Sequence, residues 1–157
     1  MTRQTRTLEK VGIFQADAFP DDTVQDGHDI QVFPGRNIAE ALIPILRQAG
    51  CTDIGEPLHR DEHGWEMLFR SDGKRFFLQV SRIEPETILH FDKNYAFEGL
   101  FHRGPSRLSV LLEKVRPLIA ADARFAGLTW FRQEEGYPPE WRTRLDELAR
   151  AEVVEDA

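Results

Sequence analysis

The chain contains a single cysteine, Cys51, among its 157 residues. One thiol cannot form an intramolecular disulfide, so the hydrophobic core must hold the fold, and a reducing compartment such as the cytosol is expected. No run of 18 apolar residues occurs, and the basic first residues are not followed by the apolar segment of a signal peptide. The sequence therefore predicts a cytoplasmic protein without a membrane-spanning segment.

The signatures of nucleotide-binding and acyl-transfer enzymes are also missing. The chain has no phosphate-binding Gly-x-x-x-x-Gly-Lys-Ser/Thr loop, no Gly-x-Gly-x-x-Gly and no Gly-x-Ser-x-Gly. A surplus of positive charge is missing as well, since 27 Asp and Glu outnumber 20 Lys and Arg and the net charge is −7. A duplex-DNA binder needs a cationic surplus on one face, so that class is disfavoured. We predict no catalytic residue and no cofactor from these patterns.

Helix and strand patterns follow one another along the middle of the chain. Apolar residues at helical spacing begin after Asn37, which has Glu40 three residues later as in a capping box, and end at Gly50. A second helix pattern opens at Ser106. Strand patterns occur at residues 65–70, 75–83, 87–91 and 128–131, and an Asp72-Gly73 turn joins the first two.

These patterns predict one α+β domain. Its sheet is expected to be an antiparallel β-meander of about four to five strands, with two main helices packed on one face and a short C-terminal helix. Residues 1–34 are interpreted as a polar, acidic N-terminal segment that is partly ordered. Residues 35–132 form the predicted core, and residues 133–157 an acidic turn with an amphipathic helix.

The segment His59-Arg60-Asp61-Glu62-His63 matches the H-x-x-E-H string of the inverted zinc peptidases. Two histidines four residues apart converge on one zinc ion when they share a helical face. Here Pro57 and Gly64 flank the string and favour a loop. A zinc-dependent hydrolase, with His59 and His63 as ligands and Glu62 as base, is the enzyme-class alternative.

A second alternative is single-stranded nucleic-acid binding. Basic residues surround the predicted 71–74 hairpin, and the aromatic residues Trp65 and Phe77 lie nearby in sequence. Aromatic rings that stack on bases, with arginines on the phosphates, are typical of such surfaces. Acidic residues are interspersed, which favours a solvated, salt-bridged face instead. The basic residues concerned are Arg70, Lys74, Arg75 and Arg82.

The end of the chain carries an apolar stripe that suggests protein binding. Trp141, Leu145 and Leu148 recur at helical spacing, and Tyr137 lies in the preceding turn. This stripe docks either on the chain's own sheet or on a second chain. We predict a soluble, non-enzymatic protein-binding module, such as an inhibitor, immunity-type protein, or adaptor or chaperone-like protein. Its partner is another protein, with a homodimer as a further possibility.

This hypothesis predicts that Trp141→Ala, or removal of residues 137–157, weakens a partner complex by about tenfold or more, because interface tryptophans often contribute much of the binding energy. The core is expected to stay folded. Affinity for the partner and circular dichroism of the same preparations measure the two effects. Unchanged affinity with an intact fold contradicts a binding role for this segment.

Overall fold

The computed structural model describes residues 8–60, 64–83, 85–96, 98–99 and 101–132. In this part of the chain, an antiparallel six-stranded sheet combines with two helices and a separate two-stranded hairpin, which confirms the α+β class. The strands are β1 (Glu9–Gln15), β2 (Val24–Asp26), β3 (Asp29–Val32), β4 (Leu58–Arg60), β5 (Gly64–Ser71), β6 (Lys74–Ile83), β7 (Glu86–Lys93) and β8 (Thr129–Arg132), and the helices are α1 (Arg36–Gln48) and α2 (Arg107–Ala120).

The order of strands in the large sheet is β4-β5-β6-β7-β1-β8. The predicted strands β5, β6 and β7 form a meander that β4, which was not predicted, extends at one edge, but β1 inserts between β7 and β8. The predicted number of strands, about four to five, was too low. Strands β2 and β4 have only three residues each, which is too short for a period-two pattern to be recognised.

The Asp72-Gly73 turn between β5 and β6 confirms the sequence prediction. Both residues have positive φ, 51° at Asp72 and 74° at Gly73, as a type I′ turn requires. This turn places Ser71 opposite Lys74 and fixes the register of the two strands. Alternate residues of β5 and β6 therefore point to one face, which we call the core face, and the others to the outer face.

The core face carries most of the large buried side chains. Helix α1 lies directly against β5 and β6. Helix α2 packs mainly on α1 and on a short 3₁₀ turn, Ala123–Phe125. This arrangement corrects the expectation that both helices pack alike on the sheet. The predicted C-terminal helix lies outside the described residues. Fully buried core-face side chains include Met67, Phe69, Phe76, Leu78 and Phe91, which pack with Leu42, Leu46, Leu111 and Ile119 of the helices.

The start of α1 differs from the prediction. Asn37 is not the N-cap but lies in the first turn, and Gly35 occupies the capping position without a side-chain cap. Glu40 pairs with Arg36 at 3.0 Å instead of reaching back to the chain before the helix. The exposed amides are capped by Asp22, whose carboxylate accepts hydrogen bonds of 2.9 Å from the backbone N–H groups of Gly35 and Asn37.

The start of α2 matches its sequence pattern. The Oγ of Ser106 accepts a hydrogen bond of 3.1 Å from the backbone N–H of Ser109. Each helix continues through an internal proline, Pro44 in α1 and Pro117 in α2. Neither proline ends its helix.

Gly64 and Gly73 provide a matched test of how closely β5 and β6 approach each other. Their φ values are similar, +76° and +74°, but a Cβ on Gly64 would lie 2.3 Å from the backbone oxygen of Val80, whereas one on Gly73 meets nothing within 4 Å. We expect Gly73→Ala to lower the free energy of unfolding by about 1 kcal/mol and Gly64→Ala by about 3 kcal/mol. Urea denaturation of both variants measures the difference; equal losses contradict the close approach at Gly64.

Candidate binding surface

Most of the exposed large apolar side chains lie on the β2–β3 hairpin or near the β4 edge of the large sheet. Among the described residues, six large apolar side chains are exposed. One of them, Phe101, lies in the loop before α2. The other five lie on the β2–β3 hairpin or just after it, on the edge strand β4, or on its neighbour β5. We call these five the edge surface: Val24, Ile30, Phe33, Leu58 and Leu68.

The β2–β3 hairpin is an arm that stands apart from the large sheet. Its strands pair with each other in the register Asp26 opposite Asp29, and they form a separate two-stranded sheet. Every residue from 24 to 31 is exposed, so neither face of the hairpin is covered along this stretch. A two-stranded hairpin has little stability of its own, because it buries little apolar surface. Its orientation must therefore be set at its base.

Hydrogen bonds at the base of the arm fix that orientation. The guanidinium group of Arg82 donates to the backbone oxygens of Phe19 and Pro20 at 3.0 and 3.1 Å. The side-chain amide of Asn37 donates to the same Pro20 oxygen at 2.7 Å. Together with the Asp22 cap on α1, these bonds join the start of the arm to β6 and to the helix. The base is thus held by partners from two different elements.

Aromatic contacts hold the other end of the arm against β4. The ring of Phe33 stacks on the ring of His59, with centroids 4.3 Å apart and planes 8° apart. The indole N–H of Trp65 donates to the backbone oxygen of Phe33 at 3.1 Å, and the His59 ring contacts the indole edge-on. The guanidinium of Arg36 lies 5.5 Å from the indole ring. The edge strand and the arm are therefore packed together.

These contacts bear on the zinc hypothesis. His59 lies on strand β4 and not in the expected loop, and its ring is engaged with Phe33 and Trp65. Glu62 and His63 lie outside the described residues. Across the ranges that the structure describes, no group of three or more His, Cys, Asp or Glu side chains could hold a metal ion. A zinc site that uses His59, Glu62 and His63 stays a prediction.

Of the other predicted site residues, some lie outside the described part of the chain and others lie within it. Trp141, Leu145, Leu148 and Tyr137 lie outside the described residues, so their binding role also stays a prediction. The basic residues proposed for nucleic-acid binding are described, but they are not aligned as one cationic face. Arg82 is hydrogen-bonded to the arm, and Arg70 lies 3.6 Å from the carboxylate of Asp53. Trp65 is buried and offers no open ring face for a base.

The arm also differs in charge from the rest of the chain. Residues 11–35 contain five aspartates and neither lysine nor arginine. Asp22 is used to cap α1, but Asp26 and Asp29 are exposed near the tip of the arm. Negative charge thus surrounds Val24 and Ile30 without a neighbouring cation in the sequence. The edge surface combines apolar contacts with an acidic rim.

Sequence reasoning missed this surface. The acidic composition of residues 15–29 indicated a solvated loop and gave no sign of β2, and the short strand pattern at residues 30–33 did not show that it has a partner there. The pairing of Phe33 with His59 joins residues 26 positions apart, which no local pattern reveals. The only sequence signal available was the Val24–Phe33 alternation around Gly27, which has a φ of +62° in the turn of the arm.

Cys51 behaves as a structural residue. The thiol is buried beside the helix end, and burial raises its pKa to about 11. A thiol with that pKa remains protonated near neutral pH, and a protonated thiol is a poor nucleophile.

A charged cluster lies on the outer face of the sheet. The ammonium of Lys10 is 2.7 Å from a carboxylate oxygen of Asp92, and the Nε2 of His90 is 3.3 Å from the same oxygen. Burial by itself raises the pKa of Asp92, but the imidazole of His90 close by and hydrogen bonds from Lys10 and the backbone amide of Lys93 outweigh it and lower the pKa well below its usual range. The ionised carboxylate therefore links β7 to β1.

Because this pKa is lower in the folded than in the unfolded chain, the ion pair stabilises the fold above the unfolded pKa of about 4 and is lost as the pH falls below it. We expect Asp92→Asn to reduce the free energy of unfolding by about 2 kcal/mol at pH 7 and by progressively less under acid conditions. Urea denaturation between pH 7 and pH 2.5 measures this. Asp26→Asn, at the exposed arm tip, is the matched control with a change below about 0.5 kcal/mol. A difference for Asp92→Asn that stays constant over the whole pH range contradicts the ion pair.

No helix in the described part of the chain is both long enough and apolar enough to cross a membrane. Comparison of the chain with known protein families, with curated proteins and with solved structures finds no significant match in any of the three.

Proposed function

We propose that the chain is a non-enzymatic protein-binding module, of the inhibitor, immunity-type or adaptor class, and that its partner docks on the edge surface. The observation that carries this proposal is that, among the described residues, five of the six exposed large apolar side chains lie on the arm, just after it, on the edge strand β4 or on its neighbour β5. Single exposed apolar residues are common on soluble proteins, but a cluster with a polar rim is typical of an interaction site.

The shape of the edge surface supports docking of a folded partner. The arm projects two apolar side chains, Val24 and Ile30, and the stacked pair of Phe33 and His59 provides a flat ring surface beside them. Aromatic rings supply large contact area at low entropic cost and recur at the energetic centres of interfaces. Leu58 and Leu68 add exposed apolar area on the outer face of the same two strands, on the other side of the sheet from His59.

The hydrogen bonds at the base of the arm reduce the conformational entropy that the arm loses when a partner binds. An arm without fixed orientation loses conformational entropy when a partner immobilises it. Here Arg82, Asn37 and Asp22 hold its base before any partner arrives. The affinity for a partner is correspondingly higher than that of a loose hairpin with the same side chains.

The charge of the arm indicates the chemistry of the partner. Asp26 and Asp29 are exposed near the tip of the arm, and residues 11–35 contain no lysine or arginine, so the arm repels acidic surfaces and attracts basic ones. Complementary charge at the rim mainly accelerates association and excludes wrong partners. We infer a partner with an apolar patch that is bordered by lysine or arginine.

The test is an affinity capture of partners from native lysate with the tagged full-length chain and two variants, followed by binding measurements on any purified partner. Ile30→Arg changes an exposed side chain at the centre of the arm. Phe101→Arg is the matched control, since it makes the same kind of change at an exposed apolar residue outside the edge surface. We expect Ile30→Arg to weaken the complex by about tenfold or more, because it places a cation where the partner is basic, and Phe101→Arg to have little effect.

Equal capture of the same partners by the wild-type chain and by Ile30→Arg contradicts docking on the arm. Zinc and nucleic acid are quantified in the same eluates. A stoichiometric zinc ion without a protein partner would favour the hydrolase hypothesis with His59 and His63. Salt-sensitive nucleic acid in the eluate would favour the second alternative.

A further inference from the structure

Three apolar side chains are buried on the outer face of the sheet, the face opposite the one on which the helices pack. They are Val11 and Ile13 of β1 and Ile88 of β7, which are 1%, 7% and 5% exposed. Ile13 stands directly opposite Ile88 in the register between the two strands. We call these three residues the outer cluster. It is separate from the main core, which contains the buried side chains of both helices.

The burial of the outer cluster is local. On the same face of the sheet, Leu68 of β5 is 42% exposed and Phe77 of β6 is half-buried, whereas Val11 of β1 is almost fully buried. An uncovered face of an antiparallel sheet exposes its outward side chains to water, as Leu68 illustrates. Exposure therefore falls across the outer face from β5 to β1, which indicates a cover over the end formed by β7, β1 and β8.

The described residues supply only part of this cover. Within the described ranges, the partly buried apolar side chains that pack against the outer cluster are Ile83 of β6 and Phe131 of β8. Both belong to the same sheet, and Phe131 stands directly opposite Val11. Neighbouring strands shield the flanks of a side chain, but they do not cover its outward end. Because the burial occurs within a single chain, we expect the rest of the cover from another segment of the same chain.

The end of the chain has the composition that such a cover requires. Residues 1–7 are polar apart from Met1, and residues 61–63 are Asp, Glu and His. Residues 133–157 instead contain an amphipathic helix pattern, whose apolar stripe needs an apolar surface to lie against. The members of the stripe are Trp141, Leu145 and Leu148.

The chain also leaves the sheet at the right place. Strand β8 ends at Arg132, next to Phe131 and therefore beside the outer cluster. The nine residue steps from Arg132 to Trp141 span up to about 30 Å, whereas β8 lies only about 10 Å from β7. Gly and Pro residues at 136–139 favour a turn that reverses the chain. The stripe is thus within reach of the outer cluster.

We propose that residues 133–157 fold back over the outer face and that Trp141, Leu145 and Leu148 cover the outer cluster. A helix with its side chains is about 10 Å wide, which equals two strand spacings, so one helix covers β8, β1 and β7 together. Of the two docking surfaces expected for this stripe, the chain's own sheet is therefore the one it occupies. Partner binding then falls to the edge surface, which shares no residue with the outer cluster.

The test measures how fast a thiol in the outer cluster reacts with an aromatic disulfide reagent. Val11→Cys introduces this thiol in the full-length chain, alone and together with Trp141→Ala. We expect Trp141→Ala to raise the labelling rate by about tenfold or more, because it removes the largest side chain of the cover. The native Cys51 is the internal control, since it is buried in the main core and stays protected while the domain is folded.

Two matched variants make the result specific. Thr143→Ala changes the same predicted helix at a position outside the stripe, and it is expected to leave the labelling of Val11→Cys unchanged. Leu68→Cys places a thiol on the exposed part of the outer face. It is expected to react rapidly, at the same rate with and without Trp141→Ala.

Equal labelling of Val11→Cys with and without Trp141→Ala, while Cys51 stays protected, overturns the proposal. Protection that disappears when the chain is diluted also overturns it and assigns the cover to a second copy of the chain. If Cys51 becomes reactive as well, the variant is not folded. Ile83→Cys, at the half-buried rim of the cluster, and Leu148→Ala then replace the pair, with an expected increase of about threefold or more.

Discussion

Strand β1 is the constraint on which one edge of the large sheet and the base of the arm both depend. It is hydrogen-bonded on both sides, to β7 and to β8, so the last strand of the sheet is attached only through the first. Gly12 makes this pairing possible on the core face. It stands opposite Trp130, and a Cβ there would lie 2.9 Å from a methyl group of Leu128 and 3.4 Å from the indole ring. The absence of a side chain at Gly12 lets the indole lie over the strand, and the same indole then holds Arg116.

The two ends of β1 lead to different parts of the molecule. Its first residue, Glu9, stands opposite Arg132 of β8, and its last residues lead to the base of the arm at Phe19 and Pro20. Loss of the β1 pairing would therefore disturb the β8 edge and the base of the arm at once. Variants that probe the arm must leave the strand itself intact, which is why exposed side chains are the informative positions.

Short sequence patterns predicted correctly the turns and helix starts that depend only on residues next to one another in the chain. The hairpin of β5 and β6 follows from Asp72-Gly73, because few residues tolerate positive φ at two successive positions, and the start of α2 follows from Ser106. The start of α1 was predicted wrongly, because Asp22 caps it across more than a dozen residues of sequence. The same limit applies to the candidate surfaces. The acidic composition of the arm could be read from the sequence, but its pairing, and the stacking of Phe33 on His59, arise only in the folded chain.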